Sequence, residues 1–402
     1  MGKITHPGRE RIRDSNNRKI LHLLRERRQL SKQEIASETG ISIPTVTNNV
    51  SRLIDEGIVE EAGLSESTGG RKPMSIRYLP DSRYAFGVDF ASNHLTASNK
   101  IRVALTNLDA SIKAEEFFDY QDFHSVDEIM THIRDVTDRI VLAARIPVEH
   151  VLGIGISLPG TVNEKKKILE VAPNLSPGLG MHDLDFRAYE KLFAFPLFVE
   201  NEANAAAFAE LVLGIAQDKR NLVYLSVNRG IGAGIVVRGH IYKGNMKRAG
   251  QVGHITVDSK GILCTCGMND CWELYAASGA LIRNYNMAST RRITDTQGFL
   301  ERLRSPDPLA VKIWERYLDY LAIGISNLLL CYDPHYVVIG GEISQFDELL
   351  LEPLKKRIFA RNKFYKGDDL EILISSLKDN AAVLGAGLLP FQELLYGNNK
   401  II

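Results

Sequence analysis

Three of the four cysteines in this 402-residue chain, Cys264, Cys266 and Cys271, fall within eight positions of the stretch GILCTCGMNDCWELYA, and His254 stands ten residues upstream of the first. Three thiolates and one imidazole are a usual ligand set for structural zinc. They fill all four tetrahedral positions and leave none for a reactive water. The C-x-C-x4-C spacing describes a compact knuckle in which Gly267 supplies a backbone position that larger residues resist. Such a site holds a shape and does no hydrolysis. Unliganded cysteines in a loop, or a redox- or zinc-sensing cluster, are the competing readings. Cys331 closes the apolar run LAIGISNLLLC and is expected in the core.

A second group lies near the amino end. Thr45, Thr47, Asn48, Asn49 and Arg52 stud one predicted helix, which begins near Pro44 and buries Val46, Val50, Leu53 and Ile54. Small polar side chains with an arginine can reach base edges and phosphates. Upstream, Ile20, Leu23 and Leu24 line one face of a first helix, Ser31 and Glu34 have capping-box spacing for a second, and Gly40 supplies the turn. Gly57 stops the third helix. Downstream, GIVEEAG and PMSIRYL predict two strands joined by LSESTGGRK, whose Arg71 and Lys72 suit a minor groove or a phosphate. Residues 1–80 thus predict a winged helix-turn-helix that binds double-stranded DNA, with a hinge at STGGRKPMS. A helical interaction domain with solvated charges is the alternative. Two-fold proteins read palindromic sites, so a homodimer is expected.

Charge agrees with this division. Residues 1–80 carry 14 Lys/Arg against 10 Asp/Glu, whereas the remainder carries 35 against 39. A basic front on an acidic body points to a polyanionic partner. The opening MGKITHPGRERIRDSNNRK is too polar for a signal peptide. The apolar run 321–331 is far shorter than the roughly 20 residues that span a bilayer. A cytoplasmic protein with no membrane partner is expected.

From Tyr84 the chain alternates strands and helices, the α/β pattern. YAFGVDFAS and KIRVALTNL predict a hairpin; VLGIGISLPG, LVYLSVNRGIGAGIVV and HYVVIGGEIS are apolar strands ending in Gly-rich turns. The stretch VNRGIGAGIVVRGHIYKGNMKRAGQVGH (227–254), followed by CTCGMNDCWE, resembles the signature of the ROK family of sugar kinases and transcriptional repressors. Its glycines fall at Gly230, Gly232, Gly234, Gly244, Gly250 and Gly253. SLPGTV, VAPNL and VENEANAAAFAEL also look like ROK segments in the right order, so the resemblance spans most of residues 84–390. With a helix-turn-helix in front, the chain resembles the ROK repressors, and CWELYAAS and ENEANA look most like the xylose repressors among them.

The resemblance implies a two-lobed, actin/hexokinase-like (RNase H-like) body over 81–402, with a sugar in the cleft. Residues 81–200 and a C-terminal helix would form the first lobe, and 201–385 the second, with the zinc site. By transfer of matching positions it implies Asn174, Asn201, Glu202, Gln251, His254 and Glu273 as sugar contacts. Gln251 departs from the family's usual Glu, and Asp270 from a Gly. The kinases' Asp-x-Gly-Gly-Thr loop is replaced by Asp89-Phe90-Ala91-Ser92-Asn93-His94, and their catalytic Asp by Glu202, one methylene longer. No enzyme activity is therefore expected. The expectation is a repressor released from its operator by a sugar such as xylose; a ROK sugar kinase and a zinc- or redox-sensing regulator are the alternatives.

Overall fold

The structure, a computed structural model, describes residues 7–64, 74–92, 100–172 and 182–395. The front is built from α1 (Pro7–Arg27), β1 (Gln29–Ser31), α2 (Lys32–Thr39), α3 (Ile43–Asp55), β2 (Val59–Leu64) and β3 (Met74–Tyr78). Ser31 and Glu34 close the expected capping box: the Ser31 hydroxyl accepts from Glu34 N at 3.2 Å, and Glu34 Oε2 accepts from Ser31 N at 2.7 Å. Gly40 turns α2 toward α3 at φ 69°. The strands form one antiparallel sheet, β1-β3-β2. The α1 face differs slightly from expectation. Ile20, Leu21 and Leu24 are fully buried while Leu23 is only partly so.

The body repeats one plan twice. β4 (Tyr84–Ser92), β5 (Lys100–Asn107) and β6 (Ile112–Asp119) are antiparallel, and β7 (Val151–Leu158) and β11 (Leu197–Asn201) add parallel strands, in the order β11-β7-β4-β5-β6. α4 (Val126–Ala144) lies on β5 and β6. The second sheet, β14-β13-β12-β15-β16, has β12 (Leu222–Val227), β13 (Ile231–Val237) and β14 (His240–Ile241) antiparallel, with β15 (Tyr336–Gly340) and β16 (Glu371–Ile374) parallel to β12. Between β7 and β11 runs a small sheet of β8 (Thr161–Asn163), β9 (Ile168–Val171) and β10 (His182–Asp185).

Two Ala-rich helices, α5 (Glu202–Val212) and α11 (Ala381–Leu388), pack on each other, α11 against β4 and β7 and α5 against β12 and β13. Their small side chains let both sheets approach closely. α6 (Glu273–Ala276), α7 (Ser278–Ala288), α8 (Thr296–Arg304), α9 (Pro308–Tyr332) and α10 (Asp347–Arg361) cover the second sheet, and α12 (Gln392–Leu395) follows α11. The apolar run 321–331 lies in the largely buried C-terminal half of α9, but Cys331 itself, expected in the core, is exposed. It lies two residues beyond buried Leu329, about 200° around the helix and so on the far face. Among the described residues no helix is long and apolar enough to cross a membrane.

The front does not keep a core to itself. Ile20, Leu24, Val46, Leu53 and Tyr78 belong to one continuous apolar cluster with Leu108, Phe208, Ala209, Val383 and Leu395. Polar contacts follow the same seam. Asp109, in the β5–β6 turn, takes Arg28 at 2.5 Å and Arg25 at 3.4 Å; Arg83 donates to the Glu56 carbonyl; His22 Nε2 meets the Leu395 carbonyl at 3.1 Å.

Candidate functional site

In the front unit, α3 presents Asn48 and Arg52 to solvent, with Thr45 and Thr47 half-exposed. Arg52 Nε donates to Glu56 Oε1 at 2.8 Å, a one-turn pair that a phosphate or base can compete for. Asn49 is a correction. It is 4% exposed, and its side-chain amide donates to the Thr45 carbonyl at 2.7 Å, so it packs inside the front unit and presents nothing to a groove. Arg71 and Lys72 lie outside the described residues.

The cysteine knuckle is a short hairpin. Thr256 bridges Cys271, Leu263 bridges Asn269, Cys264 N donates to Met268 O at 2.8 Å, and Gly267 N to Cys264 O at 2.9 Å. Gly267 (φ 88°) and Asp270 (φ 55°) both take left-handed backbone. Asp270 tolerates it because its carboxylate accepts from Gly261 N, Ile262 N and the Tyr275 hydroxyl. Trp272 seats the knuckle on α9: its indole packs against Gly324, where any Cβ would collide with the ring, and Nε1 donates to the Tyr320 carbonyl at 2.9 Å.

One ligand atom from each of His254, Cys264, Cys266 and Cys271 lies within 4.8 Å of every other. The Cys266 and Cys271 sulfurs are 3.6 Å apart, and His254 Nδ1 is 3.8 Å from Cys264 Sγ. A tetrahedral ion with bonds of about 2.3 Å to sulfur and about 2.0 Å to nitrogen sets such separations at roughly 3.5–3.8 Å. The four residues fit a four-coordinate soft cation. Burial pushes the Cys264 and Cys271 thiols up; a bound cation would reverse this.

The other sugar candidates fall into small groups. Glu273 is 7% exposed and sits against the knuckle, Oε1 3.3 Å from Cys264 Sγ and 3.7 Å from His254 Nδ1. Asn201 and Gln251 converge on one acceptor, the Gly160 carbonyl, at 2.8 and 3.1 Å. Asn201 Oδ1 also caps α5, accepting from Asn204 N at 3.1 Å. Asn174 lies outside the described residues. Glu202 opens α5, and its Oε1 accepts from Ser226 Oγ at 2.6 Å and Asn228 Nδ2 at 3.3 Å.

Burial pushes the Glu202 carboxyl up to about 7; the Ser226 hydrogen bond opposes this and nearby Asp89 adds to it. The folded value exceeds the ordinary one, so ionising Glu202 works against the fold. Its cost is absent below about pH 4.5 and grows as pH rises, until it levels off above about 7. Glu202→Gln is therefore expected to stabilise the ligand-free protein by about 3 kcal/mol at pH 8 and about 1 kcal/mol at pH 5. Thermal melts at the two pH values check this; an equal gain at both would sink it.

A set of ion pairs not legible in the sequence joins the two halves of the body. Lys243, just past β14 of the second sheet, reaches Glu200 on β11 of the first at 2.6 Å and Glu164 at 3.5 Å; Lys247 reaches Glu164 at 2.8 Å, and Arg248 reaches Glu170 at 3.8 Å. Against the burial that raises it, Lys243 and Lys247 hold the Glu164 carboxyl below the usual range. The signal was KGNMKR, three cations within six residues of an otherwise acidic body.

The ROK family model matches residues 97–393, and a winged helix-turn-helix DNA-binding model matches residues 13–60. The chain is 30% identical over 399 residues to the putative xylose repressor of Caldicellulosiruptor sp. (strain Rt8B.4), covering 96% of this chain and 97% of that one. It is 26% identical over 385 residues to the xylose repressor of Bacillus spizizenii, with the same coverage of both chains. Among solved structures, a ROK family transcriptional regulator, homolog of the E. coli MLC protein, superposes with a TM-score of 0.79 at 24% identity, over 97% of this chain and 99% of that one.

Proposed function

The chain belongs to the ROK family, and from that premise we propose that it is a sugar-responsive DNA-binding repressor of a carbohydrate-utilisation operon, released from its operator by a sugar such as xylose. The observation that carries this reading is the continuous core joining the winged front to α5 and α11, the helices between the two sheets. A ligand that changes how the lobes sit must act on those helices, and through them on the front. The relatives named as xylose repressors span the same whole architecture.

The mechanism is linkage. The sugar binds in the cleft against Asn201, Glu202, Gln251, His254 and Glu273, and favours a closed arrangement of the lobes. In a homodimer that arrangement spaces the two α3 helices wrongly for a palindromic operator, and DNA affinity falls. A coupling of about 1–3 kcal/mol is typical of such switches. Zinc held by His254, Cys264, Cys266 and Cys271 supplies a fixed structural anchor when bound. With Nδ1 turned to the thiols, His254 keeps Nε2 for a sugar hydroxyl, and Glu273 stands beside it. Asn201 and Gln251 hold the Gly160 turn and so shape the opposite wall. We read the chain as a regulator and not a kinase, because Glu202 is longer than the kinases' Asp and already hydrogen-bonded to Ser226 and Asn228. The protein would act in the cytoplasm, where its DNA is.

The test is fluorescence anisotropy of the full chain on DNA from upstream of its own gene, at fixed salt, with and without D-xylose and D-glucose. Specific binding that one sugar reverses is the expected result; binding that no sugar alters would remove the sugar-responsive reading. In the same assay Arg52→Ala should weaken operator binding about tenfold and leave sugar affinity unchanged. Loss of both together would contradict a division of labour between front and body.

A further inference from the structure

The ion pairs between the two halves of the body are graded in burial. Innermost is Lys243 with Glu200, whose side chains are 8% and 2% exposed. Lys247 with Glu164 is half-buried, and Arg248 with Glu170 is outermost, the arginine side chain 65% exposed. The three cations share one segment, 242–251, whereas the anions sit on β11, on the β8–β9 turn and on β9. Segments 93–99 and 173–181, outside the described residues, contain no acidic residue to replace Glu164 or Glu170.

Segment 242–251 is neither helix nor strand. Its ends are pinned to β13: Tyr242 N donates to the Ile235 carbonyl at 2.7 Å, and Ala233 N to the Gly250 carbonyl at 2.9 Å. Between them the backbone is left-handed at Gly244 and again at Lys247, with φ of 72° and 57°. Lys247 has a Cβ, so its turn is held against the residue's own preference. The segment leads directly into the sugar candidates. Gln251 N donates to the Arg248 carbonyl and His254 N to the Gln251 carbonyl, each at 3.3 Å. Where Arg248 is held therefore bears on where Gln251 and His254 stand. Gln251 Nε2 also reaches the Gly160 carbonyl, on the stretch of the first half that carries Glu164 and Glu170.

Burial decides what each pair can do. Parting Lys243 from Glu200 strands a buried charge, so that pair stays made. The outer two are open to water, and pairs of that kind are each worth only about a few-fold in an equilibrium. They can form and break while the body stays folded, and dissolved salt competes with them.

We propose that Lys247 and Arg248 are positioning residues for the effector: by pairing with Glu164 and Glu170 they fasten segment 242–251 to the first half and set Gln251 and His254 for the sugar. The inference rests on the sugar-binding reading above and adds how that site is assembled. The sugar binds the fastened arrangement more tightly than the loosened one. A neutral sugar has no charge for salt to screen, so the signature is a sugar affinity that falls as salt rises.

Isothermal titration of the full-length protein with D-xylose and with D-glucose, at about 0.05 M and about 0.5 M NaCl, reads this directly. The wild type should bind its sugar about fivefold more weakly at the higher salt. Lys247→Met combined with Arg248→Met should bind about tenfold more weakly than wild type at low salt and lose most of the salt dependence. Lys247→Arg, which keeps the charge, should retain salt-dependent binding. Glu170→Arg alone should weaken binding, and adding Arg248→Glu should restore it to within about threefold, a rescue that a merely structural role does not give. Should the double methionine variant fail to fold, this charge exchange carries the test. A wild-type affinity that ignores salt overturns the proposal. So does a folded double methionine variant with the wild-type affinity or the wild-type salt dependence. If the wild type binds its operator but neither sugar at either salt, the sugar-responsive reading falls, and this inference with it.

Discussion

Lys243→Met should destabilise the body by about 3–5 kcal/mol, because it strands a buried carboxylate. Glu200 is 1% exposed, and its Oε2 has Lys243 at 2.6 Å while Oε1 accepts from Asn201 N at 2.9 Å and Asn204 Nδ2 at 3.1 Å. The neutral donors cannot replace the ammonium. The lysine side chain is itself only 8% exposed, so this pair differs in kind from the surface pairs such as Lys355 with Glu352. The effect should extend to function, because Glu200 positions Asn201 and the first turn of α5. Adding Glu200→Gln to Lys243→Met should recover more than half of the lost stability, since the stranded charge goes with it. Thermal or urea denaturation of the two single variants and the double variant decides the matter. A Lys243→Met protein within about 1 kcal/mol of wild type would mean that the ion pair carries no weight.

The second large effect concerns the knuckle. Cys266→Ser should reduce bound zinc from one ion per chain to nearly none, and weaken sugar binding about 10- to 100-fold. Operator binding without sugar should survive, because α3 is far from the knuckle in the chain order and shares no core with it. Metal analysis and the anisotropy assay read both quantities. Since the variant can fail to fold, chelation of zinc from the wild type provides the same comparison without a mutation. Unchanged metal content in Cys266→Ser would refute the four-ligand site. Lost metal with an undiminished sugar response would confine zinc to a role away from the cleft.

What the sequence disclosed follows from the range of the interactions involved. The capping box at Ser31 and Glu34, the turn at Gly40 and the knuckle are local devices, set by residues at most 17 apart, and the structure has them where the spacing predicts. The burial of Asn49 is legible in the helical period, although its polar chemistry points outward. That residue lies three residues after Val46 and four before Leu53, on the stripe that helical periodicity assigns to the core. Leu23 is less legible, since Leu21 takes its place beside Ile20 and Leu24 and nothing within α1 says which neighbour the helix meets. The pairs joining the two halves of the body were out of reach. Lys243 and Glu164 are separated by 79 positions, and only the packing of two sheets brings them together. The duplicated strand order was hidden as well, because the two sheets share a topology without sharing residues.

The seam between the winged front and the body has a consequence for exchange of parts. A DNA-reading unit with its own core can be cut from one regulator and joined to another by a flexible linker. Here Ile20, Leu24 and Tyr78 are packed in the same apolar cluster as Leu108 and Leu395, and Asp109 pairs with Arg25 and Arg28. A transplanted front would have to match that face of the body as well as its operator. Operator preference and body would thus be inherited together, and a change of one would call for compensating substitutions in the other.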